Sequence, residues 1–217
     1  MNEITGLVPV KRRSGWTDVQ LDGVSLGRLR DEDVHGLRLT VGVQLGPEKL
    51  EAVRAAAGRA EAMSVGLRYL SVRPRSRREV ERRLGRDRID GAAIQHALER
   101  LEALGYLDDA QFAASFARDR IRLRPCGSRR MQSDLLARGV SREDADRGIR
   151  EAMVEEDATE EALLRRVATA RARRLTGADP AKARRRLFDY LARRGFAAGS
   201  IRAWIDANWP DEDGPAR

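Results

Sequence analysis

The sequence is short of most of what an enzyme or a secreted domain is built from. It has a single cysteine, Cys126, in 217 residues. A disulfide framework is therefore excluded, and a reducing compartment, the cytoplasm, fits. Cys126 sits in Pro125-Cys126-Gly127, a loop signal with no histidine partner, and reads as incidental. The two histidines, His35 and His96, are isolated, and no Cys/His spacing suits zinc. His96 shares a helical pattern with Ala92, Ala93 and Ala97 and is expected to be a partly buried packing residue. Aromatics make up only 5% of the chain, too few for a binder that relies on base stacking. No stretch reaches about 18 apolar residues and the N-terminus has no apolar signal core, so neither a membrane span nor a signal peptide is expected. There is no Gly-x-x-x-x-Gly-Lys-Ser/Thr loop, hence no sign of nucleotide hydrolysis. Paired acids such as Glu155-Glu156 and Glu160-Glu161 read as exposed helix charges, not metal ligands. These absences point to a protein that is not an enzyme and carries no cofactor or metal.

What the chain does have is charge. Charged residues are 35% of it and the net charge is +8. Residues 1–66 balance their bases and acids, so the whole excess falls in 67–217. A coding bias toward arginine on solvated helix faces explains the choice of Arg over Lys, but not this lopsidedness. A polyanion, nucleic acid or an acidic protein surface, is a plausible partner for that part.

Residues 1–46 read as a small β-rich segment. Ile4 to Val10 is a short apolar run, Trp16 to Leu21 alternates, and Val24 to Leu29 alternates again. Between the last two lies Asp22-Gly23, a hairpin turn signal. Asp31-Glu32-Asp33 looks like a helix start. About 40 residues bury too little surface to be stable alone, so this segment should pack on something else. Gly46-Pro47 opens a helix with proline at its first position. From there to about residue 207 the pattern is helical.

That helical part repeats itself. Shifting by 51 and then by 56 residues aligns Val80 with Met131 and Leu187, and Leu84 with Leu135 and Leu191. The same shifts align Ile89 with Val140 and Phe196, Ile94 with Ala145 and Ile201, and Leu98 with Ile149 and Ile205. Every column is apolar. Arg78, Arg129 and Arg185 form a sixth, basic column. Val80 to Leu84 and Ile94 to Leu98 are i, i+4 pairs, so each unit holds a helix, a tight turn and a second helix. A further helix precedes each pair, at about 59–72, 109–123 and 158–175. Gly139 and Gly195 are candidate left-handed C-caps. The first unit has Arg88 at that position and Gly85 nearby, so its turn is expected to differ. Ser76-Arg77-Arg78-Glu79 is a capping box, and Ser141, Asp108 and the stretch from Asp157 to Glu160 mark other helix starts. Tyr69, Phe112, Phe116, Phe188 and Phe196 fall at core-like positions. Trp204 lies beside the core columns, whereas Trp209 falls in the tail.

The expected fold is mainly α: three tandem three-helix repeats in an elongated, curved array, preceded by the β-rich segment. The boundaries read as 1–46 for that segment, 47–106 for a linker helix with repeat 1, 107–153 for repeat 2, 154–207 for repeat 3 and 208–217 for a tail.

Several separated motifs resemble the RecX family. Leu67 to Val80 (LRYLSVRPRSRREV) resembles its first-repeat signature, and Leu104 to Ala113 (LGYLDDAQFA) its link into the second. Gly127-Ser128-Arg129-Arg130 with Leu135 to Val140 resembles the second repeat, and Leu191 to Phe196 the third. The resemblance covers roughly residues 60–206. The main departure is Pro125-Cys126-Gly127, where a Lys-x-Gly stretch is usual, leaving that loop one basic residue short. The resemblance implies a cytoplasmic modulator, chiefly an inhibitor, of the RecA recombinase, with a place in DNA repair, recombination and the SOS response. Such proteins lie in the groove of the RecA–DNA filament and limit its growth or promote its disassembly. The expected partners are the RecA filament, single-stranded DNA and, as an extension, double-stranded DNA, with no membrane. The molecule is expected to be a monomer.

Basic clusters near the helix starts are the candidate RecA- or DNA-binding residues: Arg73, Arg75, Arg77 and Arg78 in the first repeat, Arg124, Arg129 and Arg130 in the second, and Arg184, Arg185 and Arg186 in the third. For any one of them a solvated position outside an amphipathic helix is the simpler reading. Their recurrence favours contact for the set, through several weak, salt-sensitive interactions. A helical DNA-binding transcriptional regulator is the alternative, since helix pairs recur. The second helices, such as Ala92 to Arg100 and Arg142 to Arg150, are poor in the Asn and Gln that read base edges, which weighs against it.

Overall fold

The structure, a computed structural model, describes residues 2–175 and 179–208. Trp209 and the tail beyond Asn208 lie outside the described residues. The chain divides into two compact units, Met1–Leu107 and Asp108–Arg217.

The first unit begins with an antiparallel sheet of β1 (Ile4–Pro9), β2 (Trp16–Leu21) and β3 (Val24–Arg30), in that order. Asp22 and Gly23 both take positive φ, 48° and 83°, which gives the two-residue turn whose twist suits a hairpin. A short helix, α1 (Asp31–Gly36), follows. Next comes α2 (Pro47–Leu70), one continuous helix of 24 residues with Pro47 in its first turn. The helix that opens at Pro47 and the one expected at 59–72 are therefore the same element, about 36 Å long. Its first half closes the sheet's core: Leu50, Val53, Ala56 and Ala57 pack with Ile4, Val19 and Leu29. Its second half belongs to the first repeat, where Ala62 and Val65 pack with Val80, Leu84, Leu98 and Leu101. Those residues come from α3 (Arg77–Arg86) and α4 (Gly91–Ala103). The β-rich segment thus packs on the helix that also supports the first repeat.

The second unit holds α5 (Asp109–Leu123), α6 (Ser128–Leu136), α7 (Arg142–Glu155), α8 (Glu160–Ala172), α9 (Pro180–Arg193) and α10 (Ala198–Asn208). One contiguous apolar core runs through all six helices. The capping signals act as read: Ser76 and Glu79 form the reciprocal box, while Asp108, Ser141 and Thr159 each accept a backbone N–H of the following turn. Every residue of the five apolar columns is buried except Ile89, which is half-buried. Phe112 and Phe196 are buried, and Tyr69, Phe116, Phe188 and Trp204 pack partly buried against the cores. His96, expected in the packing, is exposed. The inward stripe of α4 runs through Ala93, Ile94, Ala97 and Leu98, and His96 falls outside it.

The first repeat's turn resembles the others in one respect and differs in another. Arg88 takes the left-handed conformation itself, φ 58°, where Gly139 and Gly195 have 85° and 87°. Gly85 stays within α3, and its carbonyl accepts the Arg88 N–H at 3.2 Å. The left-handed φ is thus shared by all three repeats, and in the first a side chain bears the strain. The turn still differs as expected: Val140 and Phe196 donate to the Leu135 and Leu191 carbonyls at 3.2 and 3.3 Å, whereas among the described residues no such bond runs from Ile89 to Leu84. The half-burial of Ile89 just beyond it is confined to this repeat.

In the second unit the turn of the third repeat is docked on the second. Gly127 donates its N–H to the Arg194 carbonyl at 2.9 Å. A methyl group on Gly195 would lie 2.5 Å from the Arg130 nitrogen, and one on Gly127 would lie 2.4 Å from the Gly195 oxygen. Only hydrogen fits at both positions. Glu160 of α8 completes the joint by accepting from the Ser128 hydroxyl at 2.7 Å and from the Ser128 N–H at 3.2 Å. Cys126, beside Gly127, is sealed in the core at 2% exposure, and burial pushes its thiol pKa up.

Two outcomes follow for stability. Arg88→Gly should raise the stability of the first unit by up to about 1 kcal/mol, because relief of left-handed strain exceeds the entropy that glycine adds to the unfolded chain. Urea unfolding followed by circular dichroism checks it; a lower midpoint would refute the strain argument. Gly195→Val should cost about 3 kcal/mol or more through backbone strain and overpacking. The wild-type thiol should react with a thiol-specific disulfide reagent only on unfolding, whereas that variant's Cys126 should react under native conditions.

Candidate functional site

The three arginines of the basic column sit two residues before a core residue: Arg78 before Val80, Arg129 before Met131, Arg185 before Leu187. Two residues turn a helix by about 200°, so burying the apolar member aims the arginine at solvent. All three are exposed, and none has an ion pair among the described residues. Arg124 and Arg186 share that state. The other candidates make contacts with groups of the same chain. Arg73 meets Glu79 at 3.3 Å and the Pro74 carbonyl at 3.0 Å. Arg77 pairs with Glu102 at 2.7 Å and donates to Gln95 at 3.2 Å. Arg130 pairs with Asp134 at 3.0 Å, and Arg184 with Asp206 at 2.6 Å. Arg75 stacks over Tyr69, its guanidinium carbon 4.1 Å from the ring centre.

The clusters do not all lie at helix starts. Arg77 and Ser128 open α3 and α6, but α9 begins at Pro180, so Arg184, Arg185 and Arg186 lie in its second turn. Asp179 caps this longer helix by accepting from the Lys182 N–H at 2.9 Å.

A second basic feature gathers residues distant in sequence. A cleft of about 380 Å³ lies between α5, α6 and the end of α9. It is lined by Arg120, Arg124, Arg130, Arg193 and Arg194, with Cys126, Tyr190 and one acid, Asp134. Asp134 bridges Arg120 at 2.9 Å and Arg130 at 3.0 Å, and so orients both. Arg194 reaches back to donate to the Pro125 carbonyl at 3.2 Å. The loop that looked one base short in sequence therefore has a guanidinium beside it, supplied by the third repeat. A neighbouring recess shares Arg124, Tyr190 and Arg194 and adds Arg166, Arg171 and Arg174, with no acid in its lining. The ring of Tyr190 lies 4.9 Å from the Arg171 guanidinium and 5.2 Å from that of Arg194. Arg166 donates to the Ile121 and Arg122 carbonyls, at 3.1 and 3.0 Å, and holds the end of α5. Of this group the sequence marked only Arg124 and Arg130. The doublet Arg193-Arg194 before a turn glycine was the one local sign.

Elsewhere arginines serve the scaffold. Arg118 pairs with Glu155 at 2.6 Å and Arg122 with Glu156 at 2.7 Å, joining α5 to the end of α7. The hydrogen bond from Arg122 holds the Glu156 carboxyl below its ordinary pKa. Both histidines are exposed, and the His35 ring nitrogen Nδ1 lies 2.6 Å from the Asp31 carbonyl oxygen. Among the described residues no group of acids, histidines and cysteine is placed to hold a metal ion, and no helix is long and apolar enough to cross a membrane.

Comparison with known proteins agrees with this architecture. Models of the RecX first, second and third three-helix domains match residues 62–101, 108–149 and 159–205. The chain is 34% identical over 146 residues to a regulatory protein RecX of Chlorobium phaeobacteroides, covering 67% of this chain and 92% of that one. It is 30% identical over 140 residues to one of Lacticaseibacillus paracasei, covering 64% of this chain but only 58% of the longer relative. A crystal structure of regulatory protein RecX superposes with a TM-score of 0.72 at 22% identity, covering 95% of this chain and 100% of the other. One of RecX from Lactobacillus salivarius does so at 0.58 and 21% identity, over 69% and 96%. With three domain models matched in order and a relative covered almost end to end, the chain belongs to the RecX family.

Proposed function

We propose that the chain modulates the RecA recombinase, chiefly as an inhibitor, by binding in the groove of the RecA–DNA filament and limiting its growth or promoting its disassembly. The observation that carries this reading is the arginine column. Arg78, Arg129 and Arg185 recur once per repeat, and all three are exposed and unpaired among the described residues. A periodic set of cations suits a periodic partner whose subunits and phosphates repeat. Guanidinium groups pair in bidentate fashion with either carboxylate or phosphate. The protein acts without catalysis, as a monomer in the cytoplasm, on filaments formed on single-stranded DNA and also on double-stranded DNA. The four arginines already paired with acids contribute less, because binding would have to break those pairs first.

The transcriptional-regulator reading finds less support. Gln95, the one amide on α4, is held by Arg77 at 3.2 Å and by Glu81 at 3.5 Å, and α7 carries no Asn or Gln. Neither helix offers a free amide to a base edge.

The test is ATP hydrolysis by RecA on single-stranded DNA. Sub-stoichiometric protein should lower the steady rate, and absence of an effect at any ratio would sink the reading. If each column arginine contributes about 1 kcal/mol or more, the R78E/R129E/R185E variant should need on the order of 100-fold more protein for the same inhibition. Its circular dichroism should be unchanged, since all three side chains are exposed. Unaltered inhibition by that variant would remove the column from the interface.

A further inference from the structure

The basic cleft of the second unit is separate from the arginine column, and of its lining only Arg124 and Arg130 are among the candidate residues read from the sequence. We infer that it is a phosphate-binding site, made to take consecutive phosphate groups.

Charge and its arrangement carry the inference. Five arginines converge on the first recess, and Asp134 is the one acid in its lining. Asp134 is spent on Arg120 and Arg130, which it bridges. Arg124 and Arg193 have no ion pair among the described residues, and Arg194 is tied only to a neutral carbonyl and to the Tyr190 ring. Like charges held this close in a concave site focus a positive field, which an anion relieves. In the adjoining recess Arg171 Nε is buried with no hydrogen-bond partner among the described residues. In an acid-free lining such a donor is open to an acceptor from outside.

The two recesses share Arg124, Tyr190 and Arg194 and so form one track, which favours a ligand with repeating negative groups. Their linings carry no Asn, Gln, Ser or Thr, so nothing there would read a base edge. Guanidinium forks match phosphate oxygens in pairs. A phosphodiester backbone and a free polyphosphate offer this same chemistry. The inference rests on the RecA–DNA filament reading only in making DNA the nearer source.

The test needs no RecA. The full chain is titrated against a fluorescein-labelled 20-mer of deoxythymidylate, with anisotropy as the readout, at several salt concentrations. Arg174 and Arg193 are exposed and outside the column, so R174E/R193E should keep the wild-type helical signal and urea midpoint. It should bind the oligonucleotide at least tenfold more weakly, with a salt dependence shallower by about 1 to 2 in slope. Competition identifies the source. Pyrophosphate displacing the oligonucleotide at micromolar concentration assigns the cleft to free polyphosphate, while no displacement below millimolar assigns it to the backbone; both support a phosphate site. Unchanged oligonucleotide and pyrophosphate affinities in R174E/R193E would overturn it. So would displacement by poly-glutamate as effective as that by unlabelled oligonucleotide, which would make the cleft a general anion patch. Failure of the wild-type protein to inhibit RecA would leave these results standing, and failure here would leave the column test untouched.

Discussion

A close backbone approach holds the second unit together. The Gly127 N–H reaches the Arg194 carbonyl at 2.9 Å, with Gly195 pressed against the Arg130 backbone. Neither repeat of this unit is large enough to be stable by itself, and the glycine contact lets their apolar columns merge into one core. The cleft depends on it too. Arg120, Arg124 and Arg130 come from the second repeat, Arg193 and Arg194 from the third, and they meet only where the turn docks. Their mutual repulsion opposes the docking, and Asp134 and the Glu160–Ser128 bonds offset part of it.

The first unit meets the same shortage of core by different means. Here a single helix, α2, is shared between two small cores. The three-stranded sheet could not stand alone, and neither could one three-helix repeat. The continuous hydrogen bonding of α2 couples them. The strain that Arg88 bears in its turn is thus carried by a unit supported from its other end.

Much of this was legible in the sequence because its causes are local or periodic. The i, i+4 spacing of Val80 with Leu84 and of Ile94 with Leu98 defines a buried stripe whatever the neighbours do. Ser76, Asp108 and Ser141 cap helices through bonds that span three residues. The arginine column follows from the same periodicity, since burying Val80, Met131 and Leu187 turns its members outward. What was illegible depends on contacts between segments far apart. Arg194 and Pro125 are 69 residues apart, and no local pattern announces that they meet. Pairing of Arg77 with Glu102 is equally hidden, and it engages at the surface a cation that sequence alone counts as available. At Arg88 the missing glycine announced a different turn but not its form: the arginine itself takes the left-handed conformation, and the bond that closes the other two turns has no counterpart. At His96 the apolar residues around it suggested burial, yet its own rotational position on α4 decided otherwise.

The docking of Gly127 on Arg194 also sets an order of events during synthesis. Everything in the first unit can form once Leu107 has cleared the ribosome, whereas the Gly127 N–H at the start of α6 must wait for its acceptor at the end of α9. At about 5–20 residues per second, roughly 3–13 s pass between emergence of Gly127 and of its acceptor. Until that docking the second repeat lacks the cover of the third repeat's turn, and Cys126 has no lid.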